Sequence, residues 1–320
     1  MGTAASSSRD SERPIDVVCL GILVADIVAG PIDEPPLAAL TLLDDVSLHG
    51  GGCALNTATG LKRLGLETAV AGMVGNDTFG DFLLRLLDER GIHRAAVARS
   101  TAPTSATVIL VGGDGEQRFL HRLGASASLR AENLDPEALC TGRALHVAGA
   151  LVMPSLDGEP TASLLARARA RGLLTSLDTA FDATGHWRRV EPCLPWLDLF
   201  LASRAEARAI SGEEDIAAAA AWVRKRGARE VAIKLGVDGA YLAGPDFEGH
   251  VPAYRVAAVD GTGAGDAFAA GLLYGRLAGW PLEKSAHLAN AAGALATTAA
   301  GATEGLRSLE EALAIAGLQG

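Results

Sequence analysis

Aromatic residues are only 4% of this 320-residue chain, and its four cysteines, Cys19, Cys53, Cys140 and Cys193, stand far apart. No Cys-x-x-Cys and no Cys/His pair at zinc-ligand spacing occurs, which excludes a zinc module and a disulfide scaffold. The thiols are expected to be reduced and buried in a cytoplasmic protein. Positive charge is also scarce. Lys and Arg number 28 against 38 Asp and Glu, a net charge of −10, and that field repels polyphosphate chains, so nucleic acid is not an expected partner. Long hydrophobic runs are missing as well. The longest uncharged stretch, 285–303, is nearly all Ala and Gly with His287, Asn290, Thr297 and Thr298. It is too weakly apolar to enter a membrane and is expected to be a packed internal helix. Residues 1–13 are polar and Ser-rich without the apolar core of a signal peptide, and are expected to be a disordered lead-in.

Three nucleotide and nucleophile signatures are absent too. Without Gly-x-x-x-x-Gly-Lys-Ser/Thr there is no standard P-loop, without Gly-x-Gly-x-x-Gly after the first strand a dinucleotide oxidoreductase loses ground, and without Gly-x-Ser-x-Gly an α/β-hydrolase has no nucleophile. The seven histidines have no metal spacing and are expected to be structural or exposed.

What is present is a rhythm. Hydrophobic residues make up 49% of the chain, in short apolar runs that alternate with helical periodicity. Strands are predicted at 15–20, 68–74, 144–148, 173–177, 199–202 and 231–235, and helices around 160–171, 204–226 and 264–299. Phe79, Phe82, Leu83, Leu86 and Leu87 mark a further helix that Gly91 can cap. Such alternation predicts an α/β fold, a mostly parallel sheet with helices on both faces. Two stretches break it. Segment 33–50 carries Pro35 and Pro36, and 104–122 predicts two strands, 106–111 and 117–122, joined by Gly112-Gly113-Asp114-Gly115. Together they suit a small antiparallel sheet serving as a lid over a site.

The sharpest local signal runs from Asp260-Gly261-Thr262-Gly263-Ala264-Gly265 into Asp266. Small residues let backbone N–H groups converge at a helix start, an anion hole, and Asp266 in the first turn can take a proton from an attacking hydroxyl. A Gly-rich helix start with an acidic first turn explains the segment equally well. His49-Gly50-Gly51-Gly52 with Asn56 permits close approach of a ligand and hydrogen bonds to hydroxyls, or is simply a flexible loop before a helix. Asp26 lies just past the first strand, where open α/β sheets bind ligands, or is a solvated loop carboxylate.

These segments, in this order, resemble the ribokinase-like (PfkB) carbohydrate kinase family over roughly residues 15–315. The similarity rests on Gly51-Gly52 with Asn56, Ala58 and Arg63-Leu64-Gly65, and on Val74-Gly75-Asn76-Asp77-Thr78-Phe79-Gly80. Lys234-Leu235-Gly236-Val237-Asp238-Gly239, the Asp260 to Asp266 loop and Ala289-Asn290-Ala291-Ala292-Gly293 complete it. The resemblance implies a three-layer sandwich over 14–320 with a β-sheet lid, and a homodimer formed through that lid. It implies Asp266 as base with Gly263, Ala264 and Gly265 as the anion hole, and Asp26, Gly51, Gly52 and Asn56 as acceptor ligands. Lys234, Gly236, Gly239 and Asn290 fall to the nucleotide, Glu206 to magnesium, and Asp260 and Thr262 to a potassium ion.

Three positions depart from the pattern. Gly261 stands where the family's loop usually has Thr, Ser, Pro or Val, Ser203 replaces the Asn of Asn-x-x-Glu, and Asp178-Thr179-Ala180-Phe181-Asp182 lacks the Asn and Arg of Asp-x-Asn-x-Arg. The implied activity is ATP- and magnesium-dependent phosphorylation of the hydroxymethyl group of a small sugar. Asp33, Glu34, Asp44 and Asp45 in the first lid segment predict a neutral acceptor, since a sugar phosphate needs several Arg or Lys. A nucleoside kinase and a catalytically silent sugar-binding regulator are the alternatives.

Overall fold

A computed structural model describes residues 14–32, 40–113 and 117–319. The expected lead-in, the Pro35-Pro36 stretch and half of the 112–115 turn therefore lie outside the described residues. In chain order the elements are β1 (Val17–Gly21), β2 (Val24–Gly30), β3 (Asp45–Gly51), α1 (Cys53–Arg63), β4 (Thr68–Gly75), α2 (Thr78–Glu89) and β5 (His93–Ser100). Next come β6 (Ser105–Val111), β7 (Gln117–Arg122), α3 (Gly124–Ala127), β8 (Ala144–Ala150), α4 (Glu159–Ala170), β9 (Leu174–Thr179) and β10 (Leu199–Ser203). The chain closes with α5 (Arg204–Ser211), α6 (Ile216–Lys225), β11 (Glu230–Lys234), β12 (Ala240–Ala243), β13 (Glu248–Val251), α7 (Ala264–Leu277), α8 (Leu282–Ala296) and α9 (Leu309–Ala316).

Nine strands form one sheet in the order β13-β12-β11-β10-β9-β8-β1-β4-β5, parallel except at the β11-β12 and β12-β13 pairs. Its inner strands are buried because both faces are covered, and β1 is apolar along its whole length. Along β1, Val17 and Cys19 face one core with α1, α7, α8 and α9, while Val18 and Leu20 face the other with α4, α5 and α6. The Ala/Gly-rich stretch is the packed helix α8, as expected, and its composition has a steric reason. A Cβ on Gly271 would meet Ala289 Cα at 2.8 Å, so α7 and α8 approach too closely for larger side chains. No helix of the described residues is long and apolar enough to cross a membrane.

Two long predicted helices are each broken in two. Gly212 at φ 79° ends α5, and Gly279 at φ 75° with Pro281 separates α7 from α8. Gly91, at φ 62°, follows α2 as expected, and Asp77 caps its start by accepting from the Gly80 N–H at 2.9 Å. Of the cysteines, all free, Cys19 and Cys193 are buried, but Cys53 and Cys140 are only half-buried.

The small sheet expected as a lid is a separate four-stranded one, β3-β2-β6-β7, and it is mixed rather than antiparallel, because β2 and β6 pair in parallel. The hairpin of β6 and β7 was legible; β2, in its centre, was not. Asp26, expected in a loop, lies on that strand, paired with His49 of β3 on one side and Thr107 of β6 on the other. One face of β6, with Ser105, Thr107 and Ile109, is buried toward the body, and the alternate residues are half-exposed. Inner and outer lid faces are thereby defined.

Candidate active site

Asp266 stands in the first turn of α7, and its Oδ2 accepts a hydrogen bond from Asn56 Nδ2 at 2.9 Å. The two residues are 210 positions apart, and α1 packing on α7 brings them together. Gly263, the residue before α7, has φ 76° and leaves no room for a Cβ beside the Ala302 carbonyl. Glycine is required there for the loop to turn into the helix. Burial raises the Asp266 carboxyl above the usual range, opposed by the Asn56 bond, the Lys234 charge and the Cys53 thiol. The Asn56 Oδ1 is buried and has no hydrogen-bond partner among the described residues.

Lys234, at the end of β11, reaches the same place. Its Nζ lies 3.3 Å from where a Gly265 Cβ would stand, and it bonds both Asp178 oxygens at 2.6 Å. Burial alone would lower the Lys234 ammonium, but Asp178, Glu206 and Asp266 outweigh it and hold the group charged. Asp178, at 4% exposure, is a site residue that the sequence reading noticed only for what its motif lacked. Cys53, which follows Gly52 and touches Asp266, was also missed. Neither has a sequence signal of its own, because both owe their position to distant elements.

Gly51 is explained by Asp26, since a Cβ at 51 would overlap the Asp26 carboxylate. Burial raises Asp26 to about 6, opposed by a hydrogen bond from Thr107 and the charge of His49. The lid and the anion-hole loop meet at Gln117, which bonds Asp260 Oδ1 and Thr262 Oγ1, each at 3.4 Å. Strand register places Phe119, Gln117 and His121 on the inner lid face and Arg118, Leu120 and Arg122 on the outer one.

Other expected site residues are spread more widely. Glu206 Oε2 accepts from Thr179 Oγ1 at 2.9 Å and the Ser203 N–H at 2.7 Å, while no described residue bonds its Oε1. Asp260 spends both oxygens on its own neighbourhood, binding the Thr262 N–H at 2.9 Å, Thr262 Oγ1 at 2.7 Å and the Gly301 N–H at 2.9 Å. Asn290 is buried on α8, donating to the Val251 and Pro252 carbonyls at 3.0 Å. Gly236 and Gly239, at φ 65° and 96°, shape the turn between β11 and β12, which leaves Val237 at 96% exposure. His146 is the buried histidine, 2.7 Å from Ser176 and pushed down by burial to about 3, hence neutral.

A buried carboxylate beside small residues at a helix start, a lysine aimed at the same point and a lid overhead define a group-transfer enzyme acting on an anionic donor. The pfkB family of carbohydrate kinases matches residues 15–309, and the chain belongs to that family. It is 31% identical over 287 residues to a 2-dehydro-3-deoxygluconokinase of Bacillus subtilis, covering 84% of this chain and 88% of the relative. It is 33% identical over 271 residues to a fructokinase of Klebsiella pneumoniae, with 80% and 88% covered. A ribokinase II-type protein of Escherichia coli, solved with ATP and Mg2+, shares the fold at a TM-score of 0.82 and 24% identity, with 94% and 98% covered.

Proposed function

We propose that this sugar kinase transfers the γ-phosphoryl group of ATP to the hydroxymethyl group of a small neutral sugar, with Asp266 as the base. The observation that carries the reading is the convergence of Asp266, Asn56, Lys234 and the Gly263-Ala264-Gly265 run on the first turn of α7. Phosphoryl transfer needs an aligned acceptor oxygen, positive potential on the transferred group and exclusion of water. Asp266 takes the acceptor's proton, and Asn56 orients the carboxylate. The Lys234 ammonium and the N–H groups of Gly265 and Asp266 face the charge on the phosphoryl oxygens, the Ala264 N–H being already bonded to the Gly261 carbonyl at 3.3 Å, and the lid keeps water out.

Gly236 and Gly239 serve the nucleotide by keeping the backbone of their turn open to it. Asn290 acts at one remove, by fixing the chain that leaves β13. The unbonded Oε1 of Glu206 suits a magnesium ion shared with the phosphates, and the ATP and Mg2+ in the Escherichia coli neighbour support that pair. Magnesium supplies charge neutralisation on ATP. Potassium has less support, because both Asp260 oxygens are already bonded.

A neutral acceptor is favoured by Asp26 on the inner lid face, by the register of Arg118 on the other face, and by Arg122, whose guanidinium is engaged by the Thr104 carbonyl at 2.9 Å. The deoxygluconokinase and fructokinase relatives do not choose between an acidic and a neutral sugar. Phe119, 56% exposed on the inner face, favours a nucleoside as the second reading. A silent regulator fits poorly with an intact base. We also infer a homodimer through the outer lid face, supported by exposed Val46, Leu48 and Leu120, and a reducing cytoplasmic setting, supported by four free thiols.

ADP release measured over free sugars, nucleosides, sugar phosphates and sugar acids tests the proposal. A free sugar is expected to give the highest kcat/KM. Fastest turnover of a sugar acid or sugar phosphate would refute the neutral acceptor, and no turnover of any compound would refute the kinase reading.

A further inference from the structure

Four side chains line up across the lid, one from each strand. His49 opposes Asp26, Asp26 opposes Thr107, and Thr107 opposes His121. Directly opposed residues share a face, and this one is the inner face, with Asp26 against Gly51. The Thr107 hydroxyl lies 3.0 Å from Nδ1 of His121 and sits beside the Asp26 carboxylate, its cross-strand partner, whose charged form it favours. A hydroxyl has one proton to donate, and an ionised carboxylate can only accept. Placed between the two, Thr107 is set to turn its proton toward Asp26 and to accept from Nδ1–H of His121. Burial lowers the His121 imidazole, so the ring is neutral at pH 7 and its Nε2 carries a bare lone pair. No described residue bonds that nitrogen.

We propose that His121 is a specificity-determining residue for the acceptor, its Nε2 taking a hydrogen bond from one hydroxyl of a neutral polyhydroxylated compound while Asp26 holds another. The proposal rests on the kinase reading above. Thr107 is a positioning residue, because it fixes both the orientation of His121 and which of its nitrogens carries the proton. With two hydrogen-bond acceptors on one row, the lid selects compounds that present hydroxyl donors and disfavours those that present a carboxylate or phosphate there, whose oxygens would meet lone pairs.

The test is steady-state ADP release with the best acceptor of the panel, for the wild type, His121→Leu, Thr107→Val and the double variant. Loss of one such bond is expected to raise the acceptor KM about 10-fold or more, with the ATP KM and the melting temperature of His121→Leu unchanged. The Thr107→Val variant should lose a similar factor, and the double variant should lose no more than the worse single, because one relay is removed twice. His121→Gln, which keeps an acceptor oxygen, should recover part of the loss. An acceptor KM unchanged in His121→Leu, or fully multiplicative losses in the double variant, would overturn the proposal while leaving the kinase standing. A wild type that turns over no acceptor would overturn both.

Discussion

As the proposed base, Asp266 would act on a proton, so its effect belongs in kcat. Asp266→Asn is expected to lower kcat by about two to four orders of magnitude with little change in acceptor affinity. Near-normal turnover of the folded variant would remove it as base. Its protonation is set by burial, which raises the carboxyl, against the Asn56 bond, which lowers it. The base works when ionised, so kcat/KM should fall on the acid side through a pKa above that of an ordinary aspartate. Asn56→Ala removes a bond made to the charged form, which raises the pKa further and moves the acid limb to higher pH. A pH profile of kcat/KM reads this directly, and a limb that stays put or moves down would contradict it. Asp266 and Asn56 were legible in the sequence because each sits in a short motif with its own local chemistry. The Lys234–Asp178 pair was not, since 56 residues and one strand, β10, separate its members and only the sheet order joins them.

Elements were legible where periodicity acts alone. The buried strands β1, β4, β8, β10 and β11 are mostly apolar runs, and α2 has both an apolar stripe and caps. β2 escaped because only Ile22 and Leu23 separate it from β1, so two strands belonging to different sheets read as one apolar run with a polar end. β12 and β13 are four residues each, too short for a period to register. The start of α7 is the element that most constrains function. Gly263 holds a left-handed conformation against the Ala302 carbonyl, so Gly263→Ala should cost about 1–2 kcal/mol from the backbone alone, and more from moving the loop. Thermal unfolding and kcat should both suffer in this variant. A variant as stable and as active as the wild type would mean that the loop has slack and that the anion hole does not depend on this turn.

At the scale of the whole molecule, alternation of strands and helices was enough to imply three layers, because a sheet buried on both faces has few other solutions. What alternation cannot convey is which faces remain uncovered. The lid is such a case. Its inner face meets the body through Gln117 and the Asp260 loop, whereas its outer face presents Val46, Leu48 and Leu120 at 60%, 41% and 62% exposure. Half-buried Ile27, Val108 and Leu110 lie between them on that face, and β3 and β7 are open edges. A four-stranded sheet with one apolar face in water is poorly stable alone and prone to pair. In the homodimer inferred above, a second copy of the lid, bringing the same apolar face, would cover it with twofold symmetry. Sedimentation of the purified chain should therefore give a dimer. Leu120→Lys with Val46→Glu should give a folded monomer with a raised acceptor KM, because the lid that carries Asp26 loses its support. A wild type that sediments as a monomer at every concentration, or a double variant that remains a dimer, would show that copies do not meet through this face.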